Sequence, residues 1–248
     1  MVHSNSKWYQ YTLIVITFLL SGLAYLFYHY IYMPELSDIW TYYGFLIMVL
    51  PVWLVYGIHE LTLYLTSKLL GVRYYYTCSY KYELFVTLML VYGSFSLLYY
   101  KITKVDIRLL LPVIFLPALS VKISEYRNST QVAECFLSSL LVTFFVTMVF
   151  VLWIESCGGI HYIQTLTGSV RKMYDTLYTI SLYGLFVCIS ESLPLKIGEL
   201  KFDGYEIFRS KNYIFILLDV LVLVISLYFL MFRGYLQYFI LPLGGGSR

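Results

Sequence analysis

Charged residues are scarce in this sequence of 248 residues. They make up 12% of the chain, whereas 60% of it is hydrophobic; a typical soluble domain is about 25% charged. So little charge excludes an ordinary soluble globule, and so much apolar sequence excludes intrinsic disorder. The net charge is only +3, which argues against a nucleic-acid binder, since such a protein carries a broad basic face. The composition predicts an integral membrane protein with the lipid bilayer as its first partner.

Cysteine is also rare. The four cysteines include no CxxC pair, which argues against a zinc knuckle or a thioredoxin-like site, and they define no disulfide framework. Asn128 opens an N-glycosylation sequon and favours an external loop there. Residues 244–248, Gly-Gly-Gly-Ser-Arg, have the composition of a linker left by cloning. Without them, residues 1–243 are predicted to form a single polytopic membrane domain.

Long apolar runs dominate the rest of the chain. A spanning helix needs about 20 mainly apolar residues, and the first run is too long for a signal-peptide core, so it is predicted to be a retained helix. The segment 107–123 contains two prolines and is predicted to be re-entrant or extended. The sequence thus predicts an all-α, multi-pass protein of the cell membrane, with its orientation left open. Its candidate spans are Tyr11–Tyr32, Tyr43–Leu70, Leu84–Tyr100, Val132–Ile154, Leu177–Leu195 and Tyr213–Phe232.

Ionisable residues interrupt these runs at His59-Glu60, at Glu191 and at Asp203. Such groups are costly at membrane depth and indicate a functional site. In the zinc signature H-E-x-x-H, two histidines four residues apart hold the metal, and the glutamate acts as general base. Here the fifth position is Leu63, so the dipeptide taken alone favours a polar pair bonded to a neighbouring helix over a metal site.

From His59 onwards, four motif blocks occur in the same order as in a known protein family. The stretch 59–73 resembles the first metal helix of the site-2 proteases, the intramembrane zinc metalloproteases, and in particular of their archaeal-type members. The segment 116–122 resembles their extended segment, and 131–138 lies where they have Ala-Gly-Pro-x-x-Asn. Leu193-Pro194 followed by Asp203-Gly204 is similar to their N-x-x-P…D-G element. The resemblance implies a site-2-protease-like core over residues 43–212.

The resemblance also implies roles for individual residues. His59 and Asp203 would be zinc ligands and Glu60 the general base, but Leu63 offers no lone pair where the second histidine belongs. Two asparagines that are thought to hold substrate are replaced by Ser138 and Glu191. The retained motif positions are Pro194 and Gly204, and His161 is a weak candidate for a substitute ligand.

These departures predict a catalytically inactive protein without a cofactor. It would use the fold as a helix-binding scaffold, a regulator or a subunit of a membrane assembly, with a membrane protein or transmembrane helix as partner. His59, Glu60 and Asp203 would form a metal-free hydrogen-bonded cluster. Small polar residues of the fourth run would serve helix–helix contact, namely Ser138, Ser139 and Thr143. The alternative is an active zinc protease with a substituted ligand. A transporter or channel subunit is disfavoured because we detect no inverted repeat. A further alternative is that Leu63 was introduced deliberately to inactivate an enzyme, since the H-E-x-x-H signature would then be interrupted in the same way.

Overall fold

The computed structural model describes residues 38–80, 117–123, 129–197 and 200–235. Several predictions from the sequence lie outside these residues. They are the spans Tyr11–Tyr32 and Leu84–Tyr100, the first part of the segment 107–123, the sequon at Asn128 and the tail 244–248.

Helices dominate the described part of the chain, as the apolar runs predict. Four of the six predicted spans coincide with helices, and the last one has the predicted bounds. The elements in chain order are α1 (Asp38–Leu69), β1 (Tyr74–Tyr80), β2 (Pro117–Ile123), α2 (Ser129–Ser156), α3 (Gly159–Thr165), α4 (Gly168–Ser192), β3 (Lys196–Ile197), β4 (Leu200–Lys201), α5 (Asp203–Arg209) and α6 (Tyr213–Phe232).

The helices α1, α2 and α4 pack against one another, and α6 packs on α4 and α2. The short helix α5 lies against α2 and against the end of α4. At the α2–α4 contact, Gly184 lets the backbones approach closely, since a Cβ there would lie 2.9 Å from Cβ of Thr147. The core between these helices is apolar and includes Val151, Leu185 and Phe186. This arrangement brings the middle of α1 beside α2 and the end of α4.

A two-stranded antiparallel sheet lies beside the helices. Strands β1 and β2 pair from Tyr74↔Ile123 to Tyr80↔Pro117. The sequence predicts extended backbone within the segment 107–123, and residues 117–123 are extended in the structure. The predicted all-α fold did not include the sheet that they form with β1. Strand β1 begins with the three tyrosines 74–76, and aromatic residues favour strands. The sheet contacts α1, and this contact positions β2 for the site described below.

Two of the described helices, α2 and α6, are long and apolar enough to cross a membrane. Helix α6 is the more apolar, with a mean hydropathy of 2.8 in its best window. It presents large apolar side chains outward, among them Leu217, Leu221 and Val224. Its inward face carries Asp219, Val222, Ser226 and Leu230.

Candidate functional site

His59 lies in the second half of α1 and is buried against α2. Two small polar residues of α2, one turn apart, hold this part of α1. The hydroxyl of Ser139 donates to the carbonyl oxygen of His59 at 2.7 Å, and Nδ1 of His59 lies 3.3 Å from Oγ1 of Thr143. Ser139 and Thr143 thus make a contact between two helices of this chain, and both are buried in it. Ser138 is half-buried on the same helix.

The contacts of Thr143 determine the tautomer of His59. The Thr143 hydroxyl donates its one hydrogen to the carbonyl oxygen of Ser139, 2.8 Å away. Nδ1 of His59 must therefore carry a hydrogen and donate it to Thr143. In a neutral imidazole the lone pair then resides on Nε2. A second-residue contact that fixes a ring tautomer in this way is typical of metal-ligating histidines.

Nε2 of His59 faces the carboxylate of Asp203, with 3.2 Å between Nε2 and Oδ2. Asp203 is the first residue of α5, where the positive end of the helix dipole favours a carboxylate. The next residue, Gly204, packs on the end of α4, because a Cβ there would lie 2.5 Å from the carbonyl oxygen of Ser192. Two electron-rich atoms at this distance need a proton or a cation between them.

Glu191, in the last turn of α4, completes a group of three. One potential ligand atom each from His59, Glu191 and Asp203 lies within 4.8 Å of the other two. A zinc ion with bonds of about 2.0–2.2 Å places neighbouring tetrahedral ligands about 3.3–3.6 Å apart, so Nε2 and Oδ2, at 3.2 Å, would separate slightly around it. One nitrogen and two carboxylates fit the donor set of zinc. We name these three residues the His–Glu–Asp cluster.

Glu60 and Leu63 are directed toward the sheet. Oε2 of Glu60 accepts a hydrogen bond of 2.6 Å from the backbone N–H of Val121 in β2. Leu63, which is 2% exposed, packs in an apolar group with Val121 and Cys135. Residue 63 therefore serves the packing of α1 on β2 and α2, and Glu191 joins His59 and Asp203 from another helix.

Two further predicted residues, His161 and Pro194, are exposed. His161 lies on the short helix α3. Pro194 is exposed just after α4 ends, where a helix cannot continue through it. Sequence reasoning overlooked Asp219, which is completely buried on α6. The sequence contains a simple signal for it, since Asp219 is the one acidic or basic residue in the run 213–232.

Comparison with known proteins gave no match: neither a family model nor a curated protein nor a solved structure matches this chain.

Proposed function

We propose that this chain is a multi-pass protein of the cell membrane with a site-2-protease-like core that does not hydrolyse peptides. In this proposal it acts as a helix-binding scaffold, as a regulator or as a subunit of a membrane assembly. The observation that carries the proposal is the packing of Leu63, four residues after His59, against Val121 and Cys135. The position that the H-E-x-x-H signature reserves for a ligand is thus part of an apolar contact.

The contact of Glu60 supports the same conclusion. A general base must reach the water whose proton it removes. The Oε2 atom of Glu60 instead accepts the N–H of Val121 at 2.6 Å, and a buried N–H without an acceptor is costly. Glu60 therefore holds strand β2 against helix α1, and this role is structural.

The apolar surfaces support membrane embedding and a helical partner. Helix α2 exposes an apolar stripe at helical spacing that includes Phe145, Val149 and Leu152. Such a face suits lipid tails or the side chains of another transmembrane helix, since packing drives helix association in lipid. The outward face of α6 is equally apolar.

The test uses the full chain, purified in a mild detergent from its native membrane. We expect a membrane protein to co-purify with it, and we expect no cleavage of single-span substrates. Glu60→Gln should keep nearly the parent's thermal stability, because the amide oxygen still accepts from Val121. Glu60→Ala should lose about 1–3 kcal/mol by leaving that N–H unpaired. Cleavage by the parent that Glu60→Gln abolishes, with stability unchanged, would contradict the scaffold proposal.

A second candidate function is an active intramembrane zinc protease with a substituted ligand. The observation in its favour is the approach of Glu191 to His59 and Asp203 within 4.8 Å. These three residues would hold the metal, which when bound supplies a Lewis acid for peptide hydrolysis. Thr143 would keep the lone pair of Nε2 directed at the site. In this case Glu191→Gln should reduce both zinc content and cleavage, whereas a scaffold would show no cleavage to lose.

A further inference from the structure

The connection between α4 and α6 carries a group of cations that the proposed scaffold role leaves unexplained. Four basic residues lie after Ser192, where α4 ends, and before Tyr213, where α6 begins. Each of them is partly or largely exposed. We name these residues the basic cluster: Lys196, Lys201, Arg209 and Lys211.

The pairing of β3 with β4 places two of these cations side by side. Lys196 and Lys201 are directly opposite each other in the antiparallel register, and like charges in such a pair destabilise it. Nζ of Lys196 also lies 5.9 Å from the centroid of the Tyr205 ring, which is a cation–π contact. The fold thus keeps two like charges together at a cost that an anion from outside the chain would offset.

The acidic residues of this connection balance only part of the charge. The side chain of Glu206 is 5% exposed, and its oxygens lie 3.3 Å from Nζ of Lys201 and 3.4 Å from a guanidinium nitrogen of Arg209. One carboxylate is therefore shared by two cations. Asp203 is directed into the His–Glu–Asp cluster, and Glu199 lies outside the described residues. Among the described residues of this connection, the cations exceed the acids by two.

Lys211 occupies a backbone position that suits other residues better. Its φ is 55°, in the left-handed region, where glycine or asparagine is favoured just after a helix. A lysine there costs conformational energy, and strain of this kind is typical of functional positions. What a lysine adds at this exposed position is a positive charge, directly before the positive end of the α6 dipole.

The apolar outward face of α6 begins beside the basic cluster. Tyr213, Ile214 and Leu217 are all largely exposed there. An anionic phospholipid joins a negative phosphate to apolar chains, so one molecule would meet both the cations and this face. Clusters of four or more basic residues next to a spanning helix are typical of such binding. An acidic peptide or a free anion would match the cations alone.

Surface arginines at the other end of these helices differ from the basic cluster. Arg233, just after α6, pairs with Glu155 near the end of α2. Arg171, in the first turn of α4, lies 3.8 Å from a carboxylate oxygen of Asp175. Each of these arginines thus has an acid of its own, whereas Lys201 and Arg209 share one.

We propose that the basic cluster binds the headgroup of an anionic phospholipid, whose acyl chains lie along the start of α6. The inference rests on the membrane location in the proposed function and adds a lipid of defined charge as a partner. It requires neither a metal nor peptide hydrolysis.

The experiment uses the full chain in mild detergent, and native mass spectrometry counts the lipid molecules bound to it. Phosphatidylglycerol and phosphatidylcholine with identical acyl chains are added at equal concentrations. We expect phosphatidylglycerol to bind at least about tenfold more tightly, since each cation near an anionic surface contributes about fivefold in affinity. Inorganic phosphate at the same concentration should not displace it, because phosphate has no acyl chains.

The double variant Lys196→Gln with Lys211→Asn removes two cations and leaves the ion pairs of Glu206 in place. We expect it to lose at least about tenfold in affinity for phosphatidylglycerol and to bind phosphatidylcholine as the parent does. Its thermal unfolding temperature should equal or exceed the parent's, because glutamine ends the repulsion with Lys201 and asparagine suits the φ of residue 211. Lost lipid binding would then not reflect unfolding.

The matched control removes two cations from the start of α4, through Arg171→Gln with Lys172→Gln, and should keep the parent's lipid preference. Equal binding of both lipids by the parent, or an equal loss in the control, overturns the lipid site. The same follows if the double variant keeps the preference or if inorganic phosphate displaces the lipid. All of these results leave the scaffold proposal standing. A parent that stays dispersed in buffer without detergent overturns the membrane location itself.

Discussion

Leu63 and Glu191 determine which donor groups lie beside His59. Leu63 follows His59 by one helical turn, yet it contributes to the apolar contact with Val121 and Cys135. Glu191 reaches His59 and Asp203 from the end of α4. Leu63 thus offers no donor atom to this site, whereas Glu191 brings the number of possible donor groups there to three.

This arrangement predicts that Leu63→His does not confer peptide cleavage. The new imidazole would enter an apolar contact, and burying it there without a partner should destabilise the protein by about 2 kcal/mol. The volume-conserving control Leu63→Met should cost less than about 1.5 kcal/mol. Thermal unfolding and cleavage of a single-span substrate are measured for both variants. A gain of cleavage in Leu63→His would mean that residue 63 can turn toward His59 and Asp203.

The sequence indicated His59, Glu191 and Asp203 individually, because ionisable residues stand out in apolar runs. For His59 and Asp203 it also predicted a shared cluster, with Glu60 as the third member. The structure brings His59 and Asp203 together, but it places Glu191 beside them and directs Glu60 to β2, because the partners depend on how α1, α4 and α5 pack. The role of Thr143 in fixing the His59 tautomer depends on two distances across a helix contact, which no spacing in the sequence reveals. Asp219 was overlooked although the same rule about ionisable residues applies to it.

Helix α5 is placed by one glycine at the end of α4. A Cβ on Gly204 would lie 2.5 Å from the carbonyl oxygen of Ser192 and 2.9 Å from the carbonyl carbon of Leu193. Backbone atoms of a helix end cannot move aside as a flexible side chain does. The position of Asp203 beside His59 therefore depends on the residue that follows it.

Gly204→Ala should separate α5 from α4 and disturb the His59–Asp203 contact. We expect a loss of stability of about 1–3 kcal/mol from overpacking, measured by thermal unfolding in detergent. The control is Gly57→Ala in α1, where a Cβ meets nothing within 4 Å. An alanine in a helix interior should be neutral or stabilise by about 0.5–1 kcal/mol. Equal stability of the two variants would show that α5 can shift without cost.

The helices were more predictable than the sheet. Apolar runs of sufficient length mark α2 and α6 directly, and Pro194 accounts for the end of α4. Strands β1 and β2 are separated by residues 81–116, so their pairing is non-local. Such pairing depends on the position of both strands against α1, and Glu60 contributes through its bond to Val121. Local sequence patterns do not predict the contact between Glu60 and Val121.

The ends of α2 and α6 are joined at one side of the molecule. Glu155, near the end of α2, accepts a hydrogen bond of 3.1 Å from Nε of Arg233, just after α6. This bond raises the pKa of the Arg233 guanidinium above its usual value. The hydroxyl of Tyr178 on α4 also donates to the carbonyl oxygen of Tyr235 at 2.6 Å. These contacts fix which face of α6 is directed outward.

The proposed membrane location predicts where lipid touches α6. Leu221 is 52% exposed, whereas its neighbour Val222 is 1% exposed, so adjacent residues face opposite environments. In vesicles containing a phospholipid with a photoreactive acyl chain, we expect labelling at Leu217, Leu221 and Val224. Val222 should remain unlabelled because the other helices cover it. Mass spectrometry of the digested protein locates the adducts, and illumination in detergent without the photolipid serves as the control. Labelling of Val222 as strong as that of Leu221 would mean that α6 does not pack on α4 in the bilayer, and no labelling of α6 would place it away from lipid.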